Sequence, residues 1–196
     1  MRGGRRFSEA ISEGDGISVI VDVADLDAAH RAEADGAEAI AVRSDVPGLR
    51  AATELPILWL GSGPLATAVD VGADACLVRV EGLGSDDGRL EELEAEARDL
   101  GLACVVDVRS DTELRLALAR IDHEVFFLSS REGAADALAC VLELLEDVPA
   151  GKLAVAELRV ASRDDVAQLE RAGMDAVIVD PGNVAELVGT APVDAV

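Results

Sequence analysis

The chain has 196 residues, half of them hydrophobic, and a formal net charge of −22. That is enough for one sizeable core built from Ala, Val and Leu, while a uniformly acidic chain without a basic block repels nucleic-acid backbones and anionic lipids. No apolar run reaches the ~18 residues a membrane span needs, so the expectation is a cytoplasmic protein that binds neither nucleic acid nor membrane. The acids are spread along the chain and read as a solvated surface, which suits a high-salt cytoplasm; the Arg-over-Lys bias equally suits a GC-rich genome.

In chain order, residues 1–6 read as a flexible basic tail without the apolar stretch of a secretory signal. Eight short apolar runs follow: ISVIVDV (17–23), EAIAV (38–42), PILWL (56–60), ACLVRV (75–80), ACVVDV (103–108), VFFLS (125–129), LAVAEL (153–158) and AVIV (176–179). Amphipathic segments separate them, most clearly at 25–36, 87–101, 112–121, 134–147 and 162–173. In the last, Ser162 is placed to cap a helix with Asp165 completing the pair, and Val166, Leu169 and Ala172 fall on one face. A unit recurs at DGAEAIAV (35–42), VGADACLV (71–78) and AGMDAVIV (172–179). Its glycine can end a helix in the left-handed conformation, and its continuous apolar run reads as a strand covered on both faces. Eight such strands alternating with helices predict an α/β fold, a compact (βα)8 TIM barrel over residues 7–190, with short βα loops and a C-terminal tail at 191–196. The rival, an open doubly wound sheet, lacks its GxGxxG; GSG at 61–63 comes nearest.

The rare residues narrow the chemistry. There is one lysine, Lys152, and two histidines, His30 and His123. Cys76, Cys104 and Cys140 have no CxxC spacing and no nearby histidine, which argues against zinc and for free, buried thiols. No metal and no cofactor is expected. Lys152 and His123 precede the seventh and sixth strands, on the face of a barrel that serves stability, and His30 lies in the first predicted helix.

The C-terminal strand ends instead carry carboxylates, Asp22, Asp107, Glu157 and Asp180, and guanidiniums, Arg43, Arg79, Arg109, Arg131 and Arg159. Two readings stand side by side. These are paired ions closing the top of the barrel, or they form a pocket for a small anionic ligand, since arginine forks suit carboxylate and phosphate. Asp107 and Glu157 are the candidate acid/base pair if they stand close. Trp59 is either a stacking wall or packing between barrel and helices, and GSG either cradles phosphate or makes a tight turn into a helix near Pro64.

Several stretches occur in an order that resembles the indole-3-glycerol phosphate synthase family, a phosphate-binding (βα)8 barrel of tryptophan biosynthesis. They are RRFSEAISEGDGISVIVDV, LPIL (55–58), GADACLV (72–78), LEELEAEARDLGLACVVDV with TEL (112–114), and LAVAELRVASRDDVAQLERAGMDAVIV. The resemblance implies a short leading helix and a lyase that closes a ring with decarboxylation, using lysine as general acid. The implied lysine ending the first strand is Ala24, the Ser-Pro-Ser loop after it is missing, and the general-acid lysine of the third strand falls on Leu60. The implied glutamate of the fifth strand is Asp107. Asn-Asn-Arg becomes Ser129-Ser130-Arg131, Glu-Ser-Gly becomes Glu157-Leu158-Arg159, and the glycine after the eighth strand is Asp180. The expectation is a divergent barrel that has lost the parent reaction and serves as a non-catalytic or repurposed protein. The alternatives are a lyase or isomerase using Asp107 and Glu157 on a small anionic substrate, and a residual synthase. Short loops leave an Ala/Val-rich rim compatible with a homodimer.

Overall fold

Short, doubly covered apolar strands joined by helices can close on themselves, and in this chain they do. The computed structural model describes residues 3–13, 16–83, 88–131, 136–157, 162–182, 184 and 187. Eight parallel strands close into a barrel in sequence order: β1 (Ser18–Asp22), β2 (Ala39–Val42), β3 (Ile57–Trp59), β4 (Ala75–Arg79), β5 (Ala103–Val108), β6 (Val125–Ser129), β7 (Leu153–Glu157) and β8 (Ala176–Val179). Closure comes from β1 pairing with both β2 and β8. The helices are α1 (Gly3–Ser12), α2 (Leu26–Ala34), α3 (Leu49–Ala52), α4 (Ala66–Val71), α5 (Arg89–Asp99), α6 (Asp111–Arg120), α7 (Ala137–Glu146) and α8 (Arg163–Ala172). No helix among the described residues is long and apolar enough to cross a membrane.

All eight expected strands form. The helix expected near Pro64 is α4, whereas α3 had no counterpart; neither stood out among the amphipathic segments. At four and six residues they are too short to show a helical stripe. Local chemistry starts the longer helices: Asp25, Ser110, Asp136 and Ser162 each accept a backbone N–H from the first turn of α2, α6, α7 and α8. Within α8, Val166 and Leu169 are buried, but Ala172 is exposed. At 100° per residue it lies about 120° from Val166, beyond the edge of the apolar stripe.

Strand alternation makes two cores. Val19, Val21, Ile40, Trp59, Cys76 and Phe126 face the helices, whereas Ile20, Ala41, Leu58, Leu77, Val105, Phe127, Val155 and Ile178 fill the barrel. Phe7 and Ile11 of α1 join the second core and plug the floor, the N-terminal end. The helix starts at Gly3, so Gly3–Arg6 belong to it and not to the expected tail; Arg6 reaches Asp74 at 3.6 Å, which ties that turn to the barrel. The expected tail at 191–196 lies outside the described residues.

The recurring Gly-x-acid unit has a physical basis on this floor. Gly36, Gly72 and Gly173 have φ of 88°, 78° and 91°, the left-handed turn that releases the chain from a helix. Two residues on, the acid turns back to the preceding strand. Glu38 accepts the N–H of Val19 at 2.7 Å, Asp74 that of Ile57 at 3.0 Å, and Asp175 that of Ala154 at 2.8 Å. Each satisfies a backbone donor where a strand begins.

His123 lies on the floor as expected, 6% exposed, its ring edge-on to Phe126 at 4.1 Å. Burial and the charge of Lys152 hold its pKa down at about 4. Lys152 pairs with Asp122 there, and His30 is exposed on α2. All three cysteines are free. Burial pushes the Cys76 thiol up to about 12 and Cys104 up as well, but Cys140 is exposed on α7, contrary to the expectation of buried thiols. Its neighbours Val141 and Leu144 supply the buried face of that helix.

Candidate functional site

The alternation that fills the barrel also dictates what stands at its mouth. The inward series Ser18, Ile20, Asp22 on β1 ends in a carboxylate, and Ala75, Leu77, Arg79 on β4 ends in a guanidinium. Val105 and Asp107 on β5, Phe127 and Ser129 on β6, and Val155 and Glu157 on β7 continue the pattern. β3 differs: Leu58 is followed by Leu60, 2% exposed and part of the barrel interior.

These ends form two ion clusters. Arg43, just after β2, donates from Nε to Asp22 Oδ2 at 2.6 Å and from Nη2 to Glu157, and so ties β1, β2 and β7 together. Arg109, just after β5, donates from Nη2 to Asp107 Oδ2 at 3.1 Å, from Nη1 to Glu81 at 2.6 Å and from Nε to Ser129 Oγ at 3.3 Å. The Ser129 hydroxyl donates to Asp107 Oδ1 at 2.6 Å. Arg79 donates from Nη2 to the Leu60 carbonyl at 2.9 Å, and its Nε stands 3.9 Å from Asp107 Oδ2. Asp107 is 2% exposed, and burial raises its pKa against the opposing pull of Ser129, Arg109 and Arg79.

A cavity of about 320 Å³ opens between the clusters, lined by Arg43, Leu60, Leu77, Arg79, Asp107, Arg109, Ser129, Ser130 and Glu157. The structure thus brings together six of the expected site residues around one cavity: Arg43, Arg79, Asp107, Arg109, Ser129 and Glu157. Asp22 stands behind Arg43. Arg131 is exposed and turned to Glu113 Oε1 at 3.4 Å, and Asp180 is exposed; neither lines the cavity. Arg159 lies outside the described residues. Among the described residues no group of three or more His, Cys, Asp or Glu is arranged to hold a metal.

Two participants were not singled out from sequence. Glu81 neutralises Arg109, and Glu113 accepts the Arg109 backbone N–H at 2.7 Å. The Ser110-x-x-Glu113 spacing, a capping signature, was the available signal for the second; nothing local marks Glu81. Trp59 faces the helix layer at 4% exposure and is not a mouth residue. Its ring explains Gly61: a Cβ there would come within 2.2 Å of Trp59 Cζ2. The packed tryptophan therefore requires glycine at the first position after Leu60.

Comparisons with known proteins agree with the barrel fold. The family model described as indole-3-glycerol phosphate synthase matches residues 62–183. The indole-3-glycerol phosphate synthase of Variovorax paradoxus is 33% identical over 136 residues, covering 66% of this chain and 50% of that protein. That of Nocardioides sp. is 34% identical over 184 residues, covering 86% and 68%. The chain spans about half the length of several of the curated relatives it matches. Among solved structures, a tryptophan synthase alpha-subunit from Pyrococcus furiosus superposes with a TM-score of 0.69 at 17% identity, covering 88% of this chain and 98% of that one. An N-acetylmannosamine-6-phosphate 2-epimerase from Clostridium perfringens gives 0.66 at 13% identity, covering 86% and 88%. These two likenesses speak to the barrel fold. The matched model and the Nocardioides relative go further: the chain belongs to the indole-3-glycerol phosphate synthase family.

Proposed function

We propose that this chain is a repurposed member of its family that does not run the ring-closing decarboxylation and holds a small ligand at the barrel mouth. The carrying observation is the end of β3. Leu60, buried in the barrel interior, occupies the position where the resemblance puts the general-acid lysine. The neighbouring cation is a guanidinium, Arg79, and arginine is a poor general acid. Lys152 is on the opposite face, paired with Asp122. The position of the phosphate-approaching glycine is Asp180, and among the described residues the ion clusters hold Asp22, Glu81, Asp107 and Glu157 against Arg43, Arg79 and Arg109. A phosphate dianion entering that field adds charge of the sign already in excess.

The test is direct. The purified chain is incubated with the carboxyphenylamino-deoxyribulose phosphate substrate of the family, and indoleglycerol phosphate is followed by fluorescence. The expected result is no product above the uncatalysed background; turnover overturns the proposal. The second reading, an acid/base enzyme acting on a small carboxylate, draws on Asp107. Its raised pKa and its place on the cavity wall suit a proton-carrying group, although both its oxygens are already bonded. Self-association has less support: among the described residues Val69 is the one exposed large hydrophobic side chain.

A further inference from the structure

We infer that the mouth cavity takes a small zwitterion of amino-acid size, its carboxylate on Arg79 and its ammonium on Glu157. This rests on the repurposed reading above and names the class of ligand. Most of the charges at the mouth are already committed. Arg43 uses Nε and Nη2 on Asp22 and Glu157, and Arg109 uses Nε, Nη1 and Nη2 on Ser129, Glu81 and Asp107. Both oxygens of Asp107 accept.

Two lining groups stand apart. Arg79 makes one hydrogen bond among the described residues, to the Leu60 carbonyl, and its Nε lies too far from Asp107 for a second. Glu157 accepts at Oε1 from Arg43, and its Oε2 has no partner among the described residues. One is on β4 and the other on β7, with β5 and β6 between them, so a spare guanidinium edge and a spare carboxylate oxygen line the same cavity from different sides.

The charge of the ligand follows. An anion alone satisfies Arg79 but leaves Glu157 open in a cluster already richer in carboxylates. A cation alone leaves the guanidinium fork empty. A zwitterion pairs both and leaves the net charge of the mouth unchanged. Carboxylate on an arginine fork is the strong, directional form of this contact. Leu60 and Leu77 provide an apolar wall for a short aliphatic side chain. At about 320 Å³ the cavity is at the small end of ligand sites, which run roughly 300–1,000 Å³.

The experiment is calorimetric titration of the wild-type chain with L-norvaline and with three probes that delete or replace a charge: pentanoate, L-norvalinamide and inorganic phosphate. Norvaline is expected to saturate, with each other probe weaker by about tenfold or more, the scale of one charge-assisted hydrogen bond. In Glu157→Gln, norvaline should weaken by about as much while pentanoate is unchanged; in Arg79→Gln, norvaline should weaken while norvalinamide is unchanged. Circular dichroism confirms that the variants fold, and the wild-type series stands without them. Pentanoate or phosphate binding as tightly as norvaline, or no saturation by norvaline at millimolar concentration, overturns the inference. Because the parent reaction is read by turnover and the zwitterion by titration, either reading can fail without the other.

Discussion

At the floor of the barrel three carboxylates hold strand backbone, Asp74 pairing with Arg6 and Arg50 besides; at the mouth the carboxylates meet guanidiniums. Glu38, Asp74 and Asp175 each accept a strand N–H, and α1 seals that end with Phe7 and Ile11. Asp22, Glu81, Asp107 and Glu157 instead hold arginine side chains around an open cavity. The difference is one of exchangeability. A backbone donor at a strand start has no alternative partner, so losing its acceptor leaves a polar group stranded. A half-exposed guanidinium can trade one carboxylate for another at little cost. The floor is therefore built for stability, while the mouth keeps charged groups that a ligand can recruit.

Substitutions at the two ends should separate these roles. The largest effect is expected at the floor plug: Phe7→Ala should cost about 4 kcal/mol in urea unfolding, the range for emptying a buried phenylalanine site. Norvaline affinity in the surviving folded population should be unaltered; a loss there would show that plug and mouth are coupled.

Next is a pH effect. His123 has a folded pKa of about 4 against roughly 6.5 unfolded. The unfolded chain binds the extra proton between those values, so the contribution of His123 is fully present above about 6.5 and is lost as pH falls toward 4, by about 3 kcal/mol. His123→Leu should remove that component from a stability–pH profile; an unchanged slope refutes it. Asp107 works in the opposite sense. Its raised pKa means the folded state holds the proton longer, so its contribution declines as pH rises through the carboxylate range.

Asp74→Ala should cost about 2 kcal/mol, below the figure for a fully buried pair because Arg50 and Arg6 are each about one-third exposed and water can take them over. Smallest is the mouth itself: Arg43→Met should change stability by less than about 1 kcal/mol, since that side chain is 49% exposed. A larger loss on thermal melting would move the mouth into the same class as the floor and erase the contrast.

Much of this is legible in the chain itself. The eight strands follow from eight apolar runs bounded by polar segments, and the Gly-x-acid units mark helix exits at Gly36, Gly72 and Gly173. The identity of the mouth residues follows too, because period-two alternation puts Asp22, Arg79, Asp107, Ser129 and Glu157 at the inward strand ends. Arg131 and Asp180 show the limit of that inference. They also follow strand ends, yet both are exposed and away from the cavity, because a loop residue is no longer held to the pleat. The roles of Glu38, Asp74 and Asp175 were invisible, since an acid at a strand start looks like any other surface acid until the neighbouring strand is in place.

By itself, then, the sequence determined the local periods, the turn chemistry and the residue types available at each strand end. Each of these depends on near neighbours along the chain. Only the tertiary structure decided that Arg43 bridges Asp22 and Glu157, that Ser129 seats Asp107, that Trp59 forbids a side chain at Gly61, and that Arg79 keeps a free edge toward the cavity. Those contacts join residues as far apart as 43 and 157, and they exist because β1 closes against β8 and brings distant strand ends around one mouth.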